Sequence, residues 1–363
     1  MKKKMRVGIL TAGGDCPGLN AVIRAVAKKL IIEKRAVIVG IKDGYDGLIH
    51  NRYRSLSYKD VSGILTLGGT ILGTSNVANP YYYAEKERGK LVFKNVSKRV
   101  LGNIRKLKLD CLVCIGGDGT LNIAHQLSMD GVAVVGIPKT IDNDIRGTDI
   151  SFGFDSAVCI ATEGIDRIHS TAQSHHRVMI VEVMGRIAGW IALYAGIAGG
   201  GDIILLPEIP YDIRKVAQVV KERSKRGNKF SIIVISEGAR PKGGKVIVNR
   251  VVKESTIAAR LGGISIVLGR DLENLTGLET RAVVMGHLLR GGSPTPADRI
   301  LATQLGTQAV ELIKKKRFGI MVGIKGGSLV HVPLKKVAQG PRLVPVNHYL
   351  INAARVVGTS FGD

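Results

Sequence analysis

DCLVCIGGDGTLNIAHQLSMDGVAVVGIPKTIDND, residues 110–144, decides the fold. It holds two almost continuously apolar runs, CLVCI and VAVVGI, each followed by a turn dense in glycine or charge. The segment between them, from Thr120, reads as a helix. Strand, helix, strand is the βαβ unit, whose strands pair in parallel; near-continuous apolar character implies a sheet covered on both faces. The closing turn, PKTIDND (138–144), places Lys139, Thr140, Asp142, Asn143 and Asp144 behind a buried strand. A structural turn needs one Asp or Asn, with the proline, to bend the backbone. Two acids beside a lysine and a threonine suit a site that handles protons and charge.

The same rhythm extends outward in both directions. Before this unit come MRVGILT, a helix from about Leu19, AVIVGI and a helix near 97–107. After it come RVMIVEV (177–183), DIILLP (202–207) and FSIIVIS (230–236), separated by helical segments. The fold class is therefore α/β: two doubly wound parallel-sheet (Rossmann-like) domains, with ligands at the carboxyl ends of the strands and the site in the cleft between. No Pro- or Ser-rich linker separates the two, so they should pack together and can exchange chain.

Composition removes other classes. With 363 residues, 45% of them hydrophobic, the chain can bury sizeable cores, which argues against disorder. No apolar run reaches the roughly 20 residues a bilayer needs. The nearest, IAGWIALYAGIAGGG from Ile187, is broken by glycines and ends at Asp202, so it reads as a buried helix. The basic start MKKKMR leads only into VGIL, too short for a signal peptide, and a cytoplasmic protein is expected. Cys111 and Cys114 form a CxxC inside a strand, where positions three apart face opposite sides of the sheet; packing is expected, not metal. Lys and Arg number 53 against 29 Asp and Glu, a net charge of +24. That charge is spread along the chain without the interleaved aromatics of a stacking platform. Phosphorylated small molecules account for several arginines better than nucleic acid does.

Three turns at strand ends carry the chemistry. In TAGGDCPGLN (11–20), Gly13 and Gly14 let backbone N–H groups approach a phosphate as the next helix opens. In IGGDGTLN (115–122), Gly116, Gly117 and Gly119 clear space around anionic oxygens, and Asp118 offers a hard oxygen to Mg²⁺ bridging nucleotide phosphates. The third is PKTIDND. Phosphoryl transfer needs an accepting hydroxyl deprotonated, the moving group aligned and charge neutralised. Asp142 can be the base, Thr140 can donate to the moving phosphoryl group, and Asp144 can bind metal or its water. The second half supplies anion-binding groups: Arg177, MGR (184–186), SEG (236–238), Arg281 and GHLLRGG (286–292). Arginine forks and His287 suit a sugar phosphate, and Glu237 suits sugar hydroxyls.

Assembled, GGDCPGLN, GGTILGTSN (68–76), GGDGT, PKTIDND, HHRVMIVEVMGR and ETRAVVMGHLLRGGSPTPADR resemble the 6-phosphofructokinase family nearly end to end. NAD and lipid kinases share GGDGT but lack TIDND, MGR and GHLLRGG. The resemblance implies Asp142 as base and Asp118 as Mg²⁺ ligand. It implies a nucleotide site of Gly14, Tyr45, Asn76, Val77, Gly117, Asp118, Gly119 and Thr120. Fructose 6-phosphate would lie on Thr140, Ile141, Asp142, Met184, Gly185, Arg186, Glu237, His287, Leu288, Leu289 and Arg290. Arg177 and Arg281 match arginines that reach the sugar phosphate from a neighbouring subunit, which implies a homodimer or homotetramer. The implied domains are 1–153 plus 289–339 for nucleotide and Mg²⁺, and 154–288 plus 340–363 for the sugar phosphate. Arg24, Lys28 and Glu208 match a bacterial effector site, where His169 replaces an arginine.

Two positions divide the family by phosphoryl donor, and here they disagree. Gly119 leaves room for the α-phosphate of ATP, where an Asp would crowd and repel it. Lys139, in place of a glycine, favours pyrophosphate. A steric and like-charge block excludes ATP outright, whereas a lysine only adds attraction. Gly119 therefore weighs more, and the pair resembles the ATP-using branch of the mixed-substrate group, with pyrophosphate as the alternative donor. Asn76 departs from the ATP-contacting arginine of the bacterial enzymes.

Overall fold

Each apolar run divides its side chains between two faces of a sheet. The computed structural model describes residues 4–252 and 259–363. Its strands in chain order are β1 (Met5–Thr11), β2 (Ala36–Ile41), β3 (Tyr53–Leu56), β4 (Tyr83–Glu87), β5 (Lys90–Lys94), β6 (Cys111–Gly116), β7 (Val134–Pro138) and β8 (Val178–Val183). There follow β9 (Ile203–Leu205), β10 (Ser231–Ser236), β11 (Val248–Val251), β12 (Ala259–Leu261), β13 (Thr280–Val284), β14 (Ile320–Lys325) and β15 (Ser328–Pro333). The larger sheet has the order β15-β14-β7-β6-β1-β2-β3. Its five inner strands are parallel and its two outer strands antiparallel. The smaller sheet, β13-β8-β10-β9, is parallel throughout. β4–β5 is a separate antiparallel hairpin, and β11 pairs antiparallel with β12.

Alternate residues of the strands feed different cores. Val7, Ile9, Val113 and Ile115 join a central cluster with Val181, Val183, Ile232 and Val234 of the smaller sheet. Leu10, Leu112 and Cys114 face a second cluster on the other side of the larger sheet. Ile180, Ile233 and Ile235 face a third, behind the smaller sheet. Cys111 lies in the central cluster and Cys114 in the second, as the strand reading of the CxxC requires. All four cysteines are free. Each fully buried aliphatic side chain contributes about 1.5–3 kcal/mol, so the strands hold the fold and their ends are free to be polar.

The chain passes between the two sheets and back. The larger sheet takes strands from residues 5–138 and again from 320–333, and helix Pro296–Lys314 packs along helix Leu19–Ile32. The smaller sheet takes 178–284, and the tail returns to it through an Ile203–Ser360 bridge. Two local readings shift. The helix read from Thr120 starts at Asp118, inside the GGDG turn, and the run from Ile187 forms a nine-residue buried helix, Trp190–Ala198. Among the described residues no helix is long and apolar enough to cross a membrane.

Candidate active site

β1, β6 and β7 are neighbours in register, Thr11 opposite Ile115 and Gly116 opposite Pro138, so their three turns emerge side by side. Backbone bonds lock the turns together: Ala12 N–H to the Ile115 carbonyl (3.0 Å) and Lys139 N–H to the Gly116 carbonyl (2.9 Å). Gly13 has φ 83, a left-handed conformation that favours glycine. Its N–H donates to the Ser75 carbonyl (3.0 Å), and the Thr74 hydroxyl donates to its carbonyl (2.6 Å). That pair brings the loop carrying Val77 and exposed Asn76 against the first glycine turn. A methyl group on Gly116 would overlap the Thr120 side chain, whereas one on Gly119 would meet nothing within 4 Å. Tyr45 supports this turn from beneath: its buried hydroxyl donates to the Thr120 carbonyl (2.8 Å). Burial and the neighbouring Cys114 push that phenol well up, so it stays neutral.

The PKTIDND turn brings charge into this frame. Lys139 is buried, and its ammonium donates to the Gly14 carbonyl. Burial pulls its pKa down. The Asp142 N–H donates to the Thr140 hydroxyl (3.1 Å), while its Oδ1 is enclosed without any hydrogen-bond partner. Burial raises the Asp142 carboxyl, Asp118 adds to the rise, and Arg290 opposes it. Burial, then Asp142 and Asp118, raise Asp144 likewise. Asp118 itself is exposed in the first helical turn. Three mutually repelling carboxylates, one with an orphaned oxygen, are hard donors. Among the described residues no group of three or more His, Cys, Asp or Glu is placed to hold a metal ion by itself. The unpartnered Asp142 oxygen and the exposed Asp118 carboxylate suit Mg²⁺, which takes one or two carboxylates and completes its shell with water and phosphate.

The opposite wall comes from the smaller sheet. Gly185, at φ 142, lets the turns after β8 and β10 interlock: the Ser236 hydroxyl (2.6 Å) and Gly238 N–H (3.1 Å) both donate to its carbonyl. Met184, Arg186 and Glu237 are thereby set at adjacent strand ends. Burial first, then Asp142 across the cleft, push the Glu237 carboxyl up to about 7. Arg290 spans the cleft, with Nη1 donating to the Asp15 carbonyl (3.0 Å) and packing on Gly14. His287 and Leu288 are exposed on the same short turn. Ile141 and Leu289 send their side chains into the core, so only their backbone can face the cleft.

Arg177 and Arg281 do not join this constellation within one chain. They stand at the starts of β8 and β13, both paired with Glu279, Arg177 Nε at 2.8 Å. At about 3.3 Å per residue, Arg177 is roughly 20 Å from Val183, after which the 184–186 turn begins. Of the residues matched to an effector site, Glu208 accepts from Gly189 N–H (3.1 Å) and Val344 N–H (2.8 Å), and His169 bonds the Gly199 carbonyl (2.7 Å). Arg24 and Lys28 line a groove between helices Leu19–Ile32 and Pro296–Lys314. Two supporting residues escape the motif reading. Glu182, a lone acid in the apolar run RVMIVEV, is buried and accepts from Gly263 N–H (2.8 Å) and Ser265 N–H (3.0 Å); its isolation is a usable signal. Arg342, in the tail, donates to the Asn143 carbonyl (2.8 Å), and no local pattern marks it.

A family profile described as phosphofructokinase matches residues 6–313. The chain is 51% identical to ATP-dependent 6-phosphofructokinase 2 of Clostridium perfringens over 365 residues, covering 100% of both. It is 46% identical to pyrophosphate–fructose 6-phosphate 1-phosphotransferase of Amycolatopsis mediterranei, covering 95% of this chain and 98% of that one. Among solved structures, Pichia pastoris phosphofructokinase in the T-state superposes with a TM-score of 0.79 at 29% identity over 99% of this chain. This chain spans 37% of the length of the Pichia chain.

Proposed function

The chain belongs to the phosphofructokinase family and is an ATP-dependent phosphotransferase; from that premise we infer that it moves the γ-phosphoryl group of ATP to the 1-hydroxyl of D-fructose 6-phosphate. The products are fructose 1,6-bisphosphate and ADP. The observation that carries the assignment is the orphaned Asp142 oxygen, enclosed between the glycine turns and the sugar-side wall. Asp142 as a whole is half-buried, so its carboxylate can meet an acceptor hydroxyl at the cleft without giving up a protein partner of Oδ1. A base with a raised pKa holds the proton it takes, and such transfer contributes about 10²- to 10⁴-fold to rate. Thr140 steadies the turn and offers its hydroxyl to the moving group. Arg290 and the Lys139 ammonium face the same point and offset growing negative charge. Asp118 would hold Mg²⁺, with Asp144 reaching it directly or through water; bound there, the ion neutralises phosphate oxygens.

Gly14, Tyr45, Asn76, Val77, Gly117, Gly119 and Thr120 shape the nucleotide side. Met184, Gly185, Arg186, Glu237, His287, Leu288, Leu289 and Arg290 shape the sugar side. The open space at Gly119 supports ATP as donor. Lys139 favours the second reading, pyrophosphate, yet its ammonium is already engaged by the Gly14 carbonyl. Initial rates with each donor separate the two. Turnover with pyrophosphate and none with ATP overturns the ranking; turnover with neither overturns the function.

Arg177 and Arg281, stranded at the far ends of their strands, serve the site of a neighbouring copy, so the working unit is a homodimer or homotetramer. The nucleotide domain is 1–153 plus 289–339, and the sugar-phosphate domain 154–288 plus 340–363. The reaction belongs in the cytoplasm.

A further inference from the structure

Asp142 and Asp144 flank a residue in the left-handed region, Asn143 at φ 50. A non-glycine residue keeps that conformation when its surroundings enforce it. The Asn143 side chain helps, accepting from Ser151 N–H (3.0 Å). The larger constraint comes from the tail. Arg342 Nη2 donates to the carbonyls of both Asn143 and Asp149 (2.8 Å each), and the Arg342 N–H donates to the Asp144 carbonyl (2.7 Å). On its other side the guanidinium lies 4.3 Å from the centre of the Trp190 ring, and Trp190 Nε1 donates back to the Arg342 carbonyl (3.0 Å). Trp190 opens a helix that packs on the smaller sheet. One side chain therefore ties the turn bearing the reacting carboxylates to an anchor outside the larger sheet.

We propose that Arg342, steadied by Trp190, is a positioning residue that fixes the path of residues 142–149 and through it the aim of Asp142. It rests on the reading of Asp142 as the base. Arginine suits this position because a planar guanidinium can serve two carbonyls at its edge while stacking its face on an indole, which an ammonium cannot do. None of the atoms its side chain contacts belongs to the nucleotide or sugar walls, so its loss should fall on kcat more than on substrate binding.

The test compares wild type with Arg342→Met, Arg342→Lys and Arg342→Ala. Trp190 is the sole tryptophan, so its emission reports on the contact without turnover. Arg342→Met is expected to change that emission and to lower kcat about 10- to 100-fold, the cost of a misplacement near 1 Å, with both KM values within about threefold. Arg342→Lys should not restore kcat, whereas millimolar methylguanidinium should restore part of it to Arg342→Ala. Unchanged kcat in Arg342→Met, in a protein whose wild type turns over, overturns the inference alone. Equal collapse of kcat, both KM values and melting temperature, without rescue by methylguanidinium, marks a residue needed only for folding and also overturns it. A wild type without turnover overturns both this inference and the function beneath it.

Discussion

Replacing Gly119 by Asp should leave a folded protein that handles ATP badly. The position is exposed and is the second residue of helix Asp118–Met129, and a Cβ there meets nothing within 4 Å. A Cβ at this position displaces no atom of the protein. Glycine is a poor helix former by about 1 kcal/mol, and an acid in the first turn is favoured by about 0.3–1 kcal/mol, so melting should not fall. The penalty appears only with the nucleotide. Two unit charges 4 Å apart at an effective dielectric near 20 repel by about 4 kcal/mol, and solvent at this open position reduces that to about 1–3 kcal/mol. At about 1.4 kcal/mol per decade, the KM for ATP should rise roughly 5- to 150-fold. The KM for fructose 6-phosphate should hold, because the sugar wall lies on the other sheet. Steady-state rates over both substrates, with a melting curve on the same sample, measure all three. An ATP KM within about threefold of wild type, in a protein of unchanged stability, would show that no phosphate of the nucleotide lies beside this turn.

Arg281→Ala should raise the KM for fructose 6-phosphate far more than that for ATP. Mixing it with inactive Asp142→Ser under subunit exchange should regain part of the activity, since some sites then combine one intact half from each chain; no regain contradicts a shared site. The Glu237 carboxyl, raised to about 7, is charged above that pH and protonated below it. Its capacity to accept from sugar hydroxyls therefore falls as pH drops through 7, adding to the acid limb that the raised Asp142 and Asp144 carboxyls also produce in kcat/KM for the sugar phosphate; Glu237→Gln should make that limb shallower, and an identical limb in the variant assigns it to the other carboxyls alone. Gly14→Ala sets a methyl about 2.6 Å from Arg290 Nη1, a flexible end that can swing away. Stability should change little while the KM for fructose 6-phosphate rises several-fold, and a large melting loss with unchanged KM contradicts that placement.

Much of the architecture is legible because hydrophobic patterning is local. CLVCI and VAVVGI need no distant partner to read as buried parallel strands, and the turns behind them inherit their place from strand order. β3, of four residues, and β15, of six, are outer strands bearing Tyr53, Arg54 and His331, and nothing in their pattern separates them from loops. The GGDG turn reads as loop before helix, but Asp118 already has helical geometry, because an acid is favoured at the positive end of the helix dipole. Leu289 stands among the candidate ligands by its motif, yet an aliphatic side chain beside a packed helix goes to the core. The contacts invisible to pattern are those made across long chain separations. Arg342 meets Asn143 and Trp190 only after the tail has folded back, and no spacing encodes it.

The direct measurement is turnover of Asp142→Ser with ATP and Mg²⁺, alongside calorimetric binding of fructose 6-phosphate to the same protein. If this carboxylate takes the proton of the 1-hydroxyl, kcat should fall by about 10² to 10⁴ while sugar-phosphate affinity stays within a few-fold, since a base acts on the barrier more than on the ground state. A variant that still turns over at close to the wild-type rate would mean that the proton leaves by another route.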